Sequence, residues 1–182
     1  MHEDTFVTKK SLGQHFLNSP LVPTWMCDAA TLTPGETVLE IGPGTGILTK
    51  ELLARGAQVI ALETDSRAIT VLRESFAEAI QSGQLAIHQT DVSTGSLSRF
   101  IPEAVPSYKI VANIPYYLSG LLFRTALTDP RQPSTVVFLV QKEVAKRAYT
   151  NPQQSKKQSL LALSMAVYGK TRYVKTVSRG HF

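Results

Sequence analysis

Apolar residues along this chain fall into two alternating patterns: short β-favouring runs bounded by turn residues, and longer stretches with apolar positions three and four apart. The runs Val38-Leu39-Glu40-Ile41, Gln58 to Leu62, Leu85 to His88, Tyr108 to Ala112 and Thr135 to Val140 predict strands. Before the first strand, Asn18 or Ser19 is placed to cap a helix with Pro20 in its first turn and Leu21, Val22, Trp25, Met26 and Ala29 on its apolar face. A second helix runs from Ile47 to Ala54 and is closed by Arg55-Gly56; a third, capped by Ser66, carries Ala68, Ile69, Leu72, Phe76 and Ile80. Ser93 to Pro106 reads as a loop or a broken helix, and Ser119 to Leu127 as a helix. Two basic helices follow Gln141, the second rich in Leu160, Leu161, Leu163 and Met165, and Thr171 to Val177 has the β-branched look of a sixth strand. Strands alternating with helices at this spacing call for a single α/β domain: a doubly wound, mostly parallel sheet with right-handed crossovers, preceded by an N-terminal segment and helix over residues 1–33.

Composition narrows the setting. At 182 residues, 43% hydrophobic and 18% charged, the chain can bury one substantial core. The longest apolar stretch, around Leu160 to Tyr168, is too short to span a bilayer, and the first residues lack the basic and apolar regions of a secretion signal. A cytoplasmic monomer with no membrane partner is the expectation. The single cysteine, Cys27, leaves no internal disulfide and no cysteine-based metal site, and reads as a small core residue; no metal is expected. Charge is uneven: from residue 142 onward nine Lys and Arg face one acid, a balance of +8, whereas the preceding 141 residues sum to −3. The basic portion suits a polyanion or is a solvated face.

The candidate chemistry begins where the first strand ends. In Glu40-Ile41-Gly42-Pro43-Gly44-Thr45-Gly46, glycine at every second position removes the Cβ atoms that would hold a ligand off the main chain. A dinucleotide fingerprint would require a glycine at 47, where the chain has Ile47. Glu40 is poorly placed for a phosphate and well placed for an ammonium. Glu-x-Gly-x-Gly-x-Gly resembles the first motif of the S-adenosylmethionine-dependent methyltransferases; a bland strand-to-helix turn and a nucleotide site are the competing readings.

In a doubly wound sheet the ligand lies beyond the carboxyl ends of the strands, near the switch in strand order. Gly42, Glu63, Asp91, Asn113 and Gln141 all stand at those ends. Glu63 can accept hydrogen bonds from ribose hydroxyls and Asp91 from an adenine amino group; for each acid alone the capping of its own loop is the stronger reading, but together, in order and after the glycine loop, they favour the site. Asn113-Ile114-Pro115-Tyr116 is more specific. The exocyclic amine of adenine is a weak nucleophile, because its lone pair is delocalised into the ring. The Asn113 side-chain oxygen and the Ile114 carbonyl can each accept one amine hydrogen, Pro115 restricts the backbone around them, and Tyr116 offers a face for the base, a stack worth about 1 to 3 kcal/mol.

With Gly13-Gln14-His15-Phe16-Leu17 and Leu139-Val140-Gln141-Lys142-Glu143-Val144-Ala145, these motifs resemble the ribosomal RNA adenine dimethyltransferases over roughly residues 9 to 182. The Gln-Lys-Glu-Val-Ala stretch is more like the small-subunit enzymes than their antibiotic-resistance relatives. The resemblance implies a Rossmann-like class I methyltransferase fold, S-adenosyl-L-methionine as cofactor, and small-subunit ribosomal RNA or its precursor particle as partner. It also implies dimethylation of two adjacent adenosines at N6. His15 and Leu17 would then approach the methionine end of the cofactor, with Glu40, Gly42, Gly44 and Gly46 around it. Glu63 would bind ribose, Asp91 adenine, and Asn113 would link cofactor and target. Family members continue past the position of Phe182 into a proline-rich run, a final strand and a small helical domain, so a sheet lacking the final strand and an absent helical domain are expected. Phe182 is the candidate to grip the target base opposite Tyr116. A large-subunit methyltransferase, a non-catalytic RNA-binding assembly factor and a nicotinamide dehydrogenase are the alternatives; intact Asn113 to Tyr116 speaks against the second and Ile47 against the third.

Overall fold

The computed structural model describes residues 17–149 and 159–181. Five parallel strands form the sheet: β1 (Thr37–Ile41), β2 (Gln58–Glu63), β3 (Leu85–Gln89), β4 (Tyr108–Asn113) and β5 (Thr135–Leu139). Their order is β3-β2-β1-β4-β5, so the winding reverses between β1 and β4. The helices are α1 (Leu21–Ala30), α2 (Ile47–Ala54), α3 (Ser66–Ser75), α4 (Ala77–Gln81), α5 (Ser119–Thr128), α6 (Lys142–Ala148) and α7 (Leu160–Tyr168).

β1 is buried along its whole length because it pairs with β2 on one side and β4 on the other, and helices cover both faces. The two-residue pleat divides its side chains between two cores. Val38 joins Val22, Met26 and Cys27 of α1 and Leu48 and Leu52 of α2, whereas Leu39 and Ile41 join Ile60, Leu62, Ile110 and Leu122. Each fully buried aliphatic side chain contributes about 1.5 to 3 kcal/mol, enough to fix this register against a one-residue slip. Glu40 is the exception, a carboxyl that shares the Val38 side of the strand and is only 1% exposed.

Several local expectations are corrected. α1 starts after Pro20 without a side-chain cap from Asn18 or Ser19, and its buried stripe is Val22, Pro23, Met26, Cys27 and Ala30, with Leu21 about half exposed. Asp65, not Ser66, caps α3, its carboxylate accepting from the Arg67 amide at 3.0 Å. The long third helix breaks at Phe76 into α3 and α4. Ser93 to Pro106 is turns around one 3-10 turn at Ser98–Phe100, tied down by the buried Asp129, whose carboxylate accepts from the Leu97 and Ser98 amides.

The sixth strand expected at Thr171 to Val177 is absent: no ladder bond joins this segment to β5 among the described residues. A β-branched run fits a pleated surface but becomes a strand only beside a partner. Here the segment docks on α1 instead. The Lys175 ammonium lies 3.5 Å from the Trp25 ring centre, His181 meets the same ring edge-on at 5.6 Å, and the Asn18 amide donates to the His181 carbonyl at 3.0 Å.

Candidate active site

The carboxyl ends of β1, β2, β4 and β5 open into one cavity of about 1550 Å³. Single-ligand sites commonly measure roughly 300 to 1000 Å³, so there is room here for a nucleoside-sized ligand and part of a second molecule. Leu17, Glu40, Gly42, Gly44, Glu63, Asp91, Asn113, Ile114, Pro115 and Gln141 all line it. Residues far apart in the chain meet there because parallel strands bring all their carboxyl ends to one edge of the sheet.

The glycine loop has a division of labour that spacing alone does not reveal. Gly42 has φ +66 and a Cβ built on it would meet nothing within 4 Å, so its bare face opens on free space. Its amide donates to the Leu62 carbonyl at 2.9 Å, holding the loop against β2. Gly46 has φ +85 but faces the other way: a Cβ there would stand 2.5 Å from the Phe76 ring and 2.9 Å from Leu72. Gly46 thus lets α2 start hard against α3, and it is not among the residues that line the cavity.

Glu63, 4% exposed at the tip of β2, anchors the same loop. One carboxylate oxygen accepts from the Gly44 amide at 3.1 Å; the other accepts from the Thr64 and Asp65 amides at 2.8 and 2.9 Å. It both lines the cavity and sets the loop that shapes it. Asp91 is exposed two residues past β3, and its carboxyl is held below the usual range by the Ser93 amide, which donates to it at 2.8 Å. Asn113 ends β4 half-buried; the Ile114 amide after it donates to the Leu139 carbonyl at 3.1 Å, locking the turn to β5. Pro115, at φ −54 and ψ 136, then leads into a 3-10 turn at Tyr116–Leu118. Gly42 directly follows β1 and Asn113 ends β4, the two strands that flank the reversal in strand order.

Glu40 carries the most unusual electrostatics. Thr49 on α2 donates its hydroxyl to one Glu40 carboxyl oxygen at 2.7 Å, while the other oxygen, Oε1, is buried with no partner. Burial, with a smaller contribution from the negative charge of Glu63, pushes this carboxyl up to about 8. A buried carboxyl with an orphan oxygen on a cavity wall suits a cationic ligand group, and an open glycine cradle beside it suits a ligand lying against the backbone. Together with the acceptors Glu63 and Asp91, these donor and acceptor types fit S-adenosylmethionine.

His15 and Phe182 lie outside the described residues, as does the Tyr116 side chain. Three residues that sequence reasoning did not single out, Tyr117, Tyr173 and Lys175, line the cavity rim. Tyr117 follows directly on Asn113 to Tyr116 and is 56% exposed. Tyr173 and Lys175 sit on the segment expected to be a strand, so no periodicity could have placed them here.

A doubly wound sheet with a glycine loop after β1 and an acid ending β2 defines a Rossmann-like methyltransferase domain. More narrowly, the chain belongs to the ribosomal RNA adenine dimethylase family, which it matches over residues 5–182. It is 40% identical over 178 residues to the ribosomal RNA small subunit methyltransferase A of Dehalococcoides mccartyi strain 195, covering 98% of this chain and 59% of that one. Against the protein of that name from Deinococcus radiodurans it is 40% identical, covering 95% of this chain and 56% of the relative. The crystal structure of a dimethyladenosine transferase from Plasmodium falciparum superposes with a TM-score of 0.75 at 29% identity, covering 92% of this chain and 58% of that one. That of the 23S rRNA methyltransferase ErmE gives 0.65 at 26% identity, over 83% and 57%. The chain spans less than two thirds of the length of these relatives.

Proposed function

We propose that this protein transfers methyl groups from S-adenosylmethionine to N6 of two adjacent adenines in small-subunit ribosomal RNA. The observation that supports this most is that one cavity is lined both by Glu40, Gly42, Glu63 and Asp91 and by Asn113, Ile114 and Pro115. When bound, the cofactor supplies an electrophilic methyl group. The chain's residues bind and orient. Glu40 accepts from an ammonium, the Gly42 to Gly44 backbone lies along the ligand, Glu63 accepts from ribose hydroxyls and Asp91 from the adenine amino group. Asn113 and the Ile114 carbonyl accept the two hydrogens of the target amine, which turns its lone pair out of conjugation and fixes its direction. Holding a reactant this way supplies effective concentration and alignment that free diffusion lacks. A target adenine must leave its stack to get there, and an aromatic at position 116 is placed to receive it.

The test is transfer of labelled methyl groups to purified small and large ribosomal particles, with the RNA digested to nucleosides. Label recovered as N6,N6-dimethyladenosine from small-subunit RNA is the expected result. Label in large-subunit RNA would instead support the reading suggested by the likeness to ErmE, which the 40% identity to small-subunit enzymes disfavours. No label in either RNA would contradict both.

A further inference from the structure

Glu40 and Thr49 form a pair whose geometry goes beyond holding a ligand. Glu40 lies in the middle of the sheet, flanked in register by Ala61 on β2 and Val111 on β4. Neither neighbour offers its carboxyl a side-chain hydrogen bond. Thr49, itself fully buried, lies in the first turn of α2 and fixes one carboxyl oxygen, which leaves Oε1 as the buried atom without a partner on a residue that lines the cavity. Among the described residues the ionisable groups facing this carboxyl are Glu63 at the tip of β2 and Cys27 on α1. The negative charge of Glu63 disfavours a second one beside it, whereas the Cys27 thiol, pushed up to about 12 by burial, stays neutral. A carboxylate in such a place is costly until a cation arrives.

Resting on the cofactor reading above, we propose that Glu40 is a proton-exchanging ligand group: it holds its proton in the free protein and surrenders it to solvent when the ligand's ammonium docks, with Thr49 as the positioning residue that aims Oε1 at the incoming cation. The step balances simply. The carboxyl O–H breaks, its proton leaves to water, and the carboxylate accepts a hydrogen bond from an ammonium that keeps all its own protons. Net charge in the pocket is the same before and after, so a cation enters a dry site without leaving an unpaired charge there. One consequence is a built-in pH dependence of cofactor affinity, which rises with pH up to about 8 and levels off above it.

The experiment is calorimetry of S-adenosylhomocysteine binding at pH 6.5 in two buffers of different ionisation enthalpy, which reads the number of protons released. The probe carries the same ammonium and cannot turn over. Wild-type protein is expected to release close to one proton per ligand bound, and Glu40→Gln to bind more weakly with none. Thr49→Val is expected to weaken binding on the order of tenfold, the loss expected when a hydrogen bond to a charged group is removed. Thr49→Ser, which keeps the hydroxyl, should restore the affinity. Wild-type binding without proton release, or equal release from Glu40→Gln, would overturn the proposal while leaving the cofactor reading intact. Absence of any binding by the wild type would overturn both.

Discussion

At the scale of single residues, the glycines of the loop serve different ends, and substitution should separate them. Gly46→Ala forces a methyl into Phe76 and Leu72 at a left-handed φ, a clash with packed side chains at the end of α3. Its expected cost is about 1 to 3 kcal/mol of stability, read as a lower melting temperature. Gly42→Ala meets no atom, so its effect should appear mainly as lost cofactor affinity with a smaller stability loss from the φ of +66. Equal melting shifts for the two would contradict this division. Glu63→Ala should weaken S-adenosylmethionine binding by about 1 to 3 kcal/mol, through the ribose acceptor and through release of the Gly44 amide; unchanged affinity by calorimetry would remove Glu63 from the site.

Glu40 adds a pH signature to folding. Its carboxyl is raised from an ordinary value of 4.5 to about 8 in the native state. Between those values the native protein holds a proton that the unfolded chain has lost, so this group's stabilisation is complete at low pH and declines as pH rises through that window. The slope is at most about 1.4 kcal/mol per pH unit, and it vanishes above about 8. Chemical denaturation of wild type and Glu40→Gln across pH 5 to 8.5 should show a steeper decline in wild type, and parallel curves would refute the assignment.

At the scale of elements, the central strands were readable because buried parallel strands are short continuous apolar runs with turn residues at both ends. β1, β2, β4 and β5 begin within a residue of expectation for that reason. The acids and amide at their carboxyl ends were legible too, since a strand fixes where its last residue points. What the sequence hid were features decided by partners. α1 turned its stripe toward Pro23 and Cys27, because the sheet covers that face. The Thr171 to Val177 run has strand chemistry but lies against α1 through Lys175 and Trp25, a pairing 150 residues apart that no local pattern encodes. Gly46 carries the same spacing signal as Gly42, and only the position of Phe76 tells them apart.

At the scale of the whole molecule, charge separates from chemistry. The residues after 141 carry nine cations and one acid, and Lys142, Lys146, Arg147, Lys170, Arg172 and Lys175 are exposed. Such groups bind RNA through phosphates and impart salt dependence. Lys156 and Lys157 belong to the same basic portion and lie outside the described residues. Replacing both by alanine should lower RNA affinity and reduce the slope of log affinity against log salt by up to roughly 0.7 to 0.9 for each phosphate no longer neutralised, without altering which adenine is methylated. A slope equal to wild type would make this pair a solvated face.

Catalysis in this reading depends on one arrangement, in which the ligand held by the β1 and β2 ends meets an amine held at the end of β4. Asn113→Ala probes it directly, in a paired measurement of single-turnover methyl transfer to small-subunit particles and of calorimetric RNA affinity. The expected result is a loss of transfer of at least about 100-fold with RNA affinity within about threefold of wild type, because Asn113 positions the reacting amine and makes no phosphate contact in this reading. Transfer within a few-fold of wild type would contradict it.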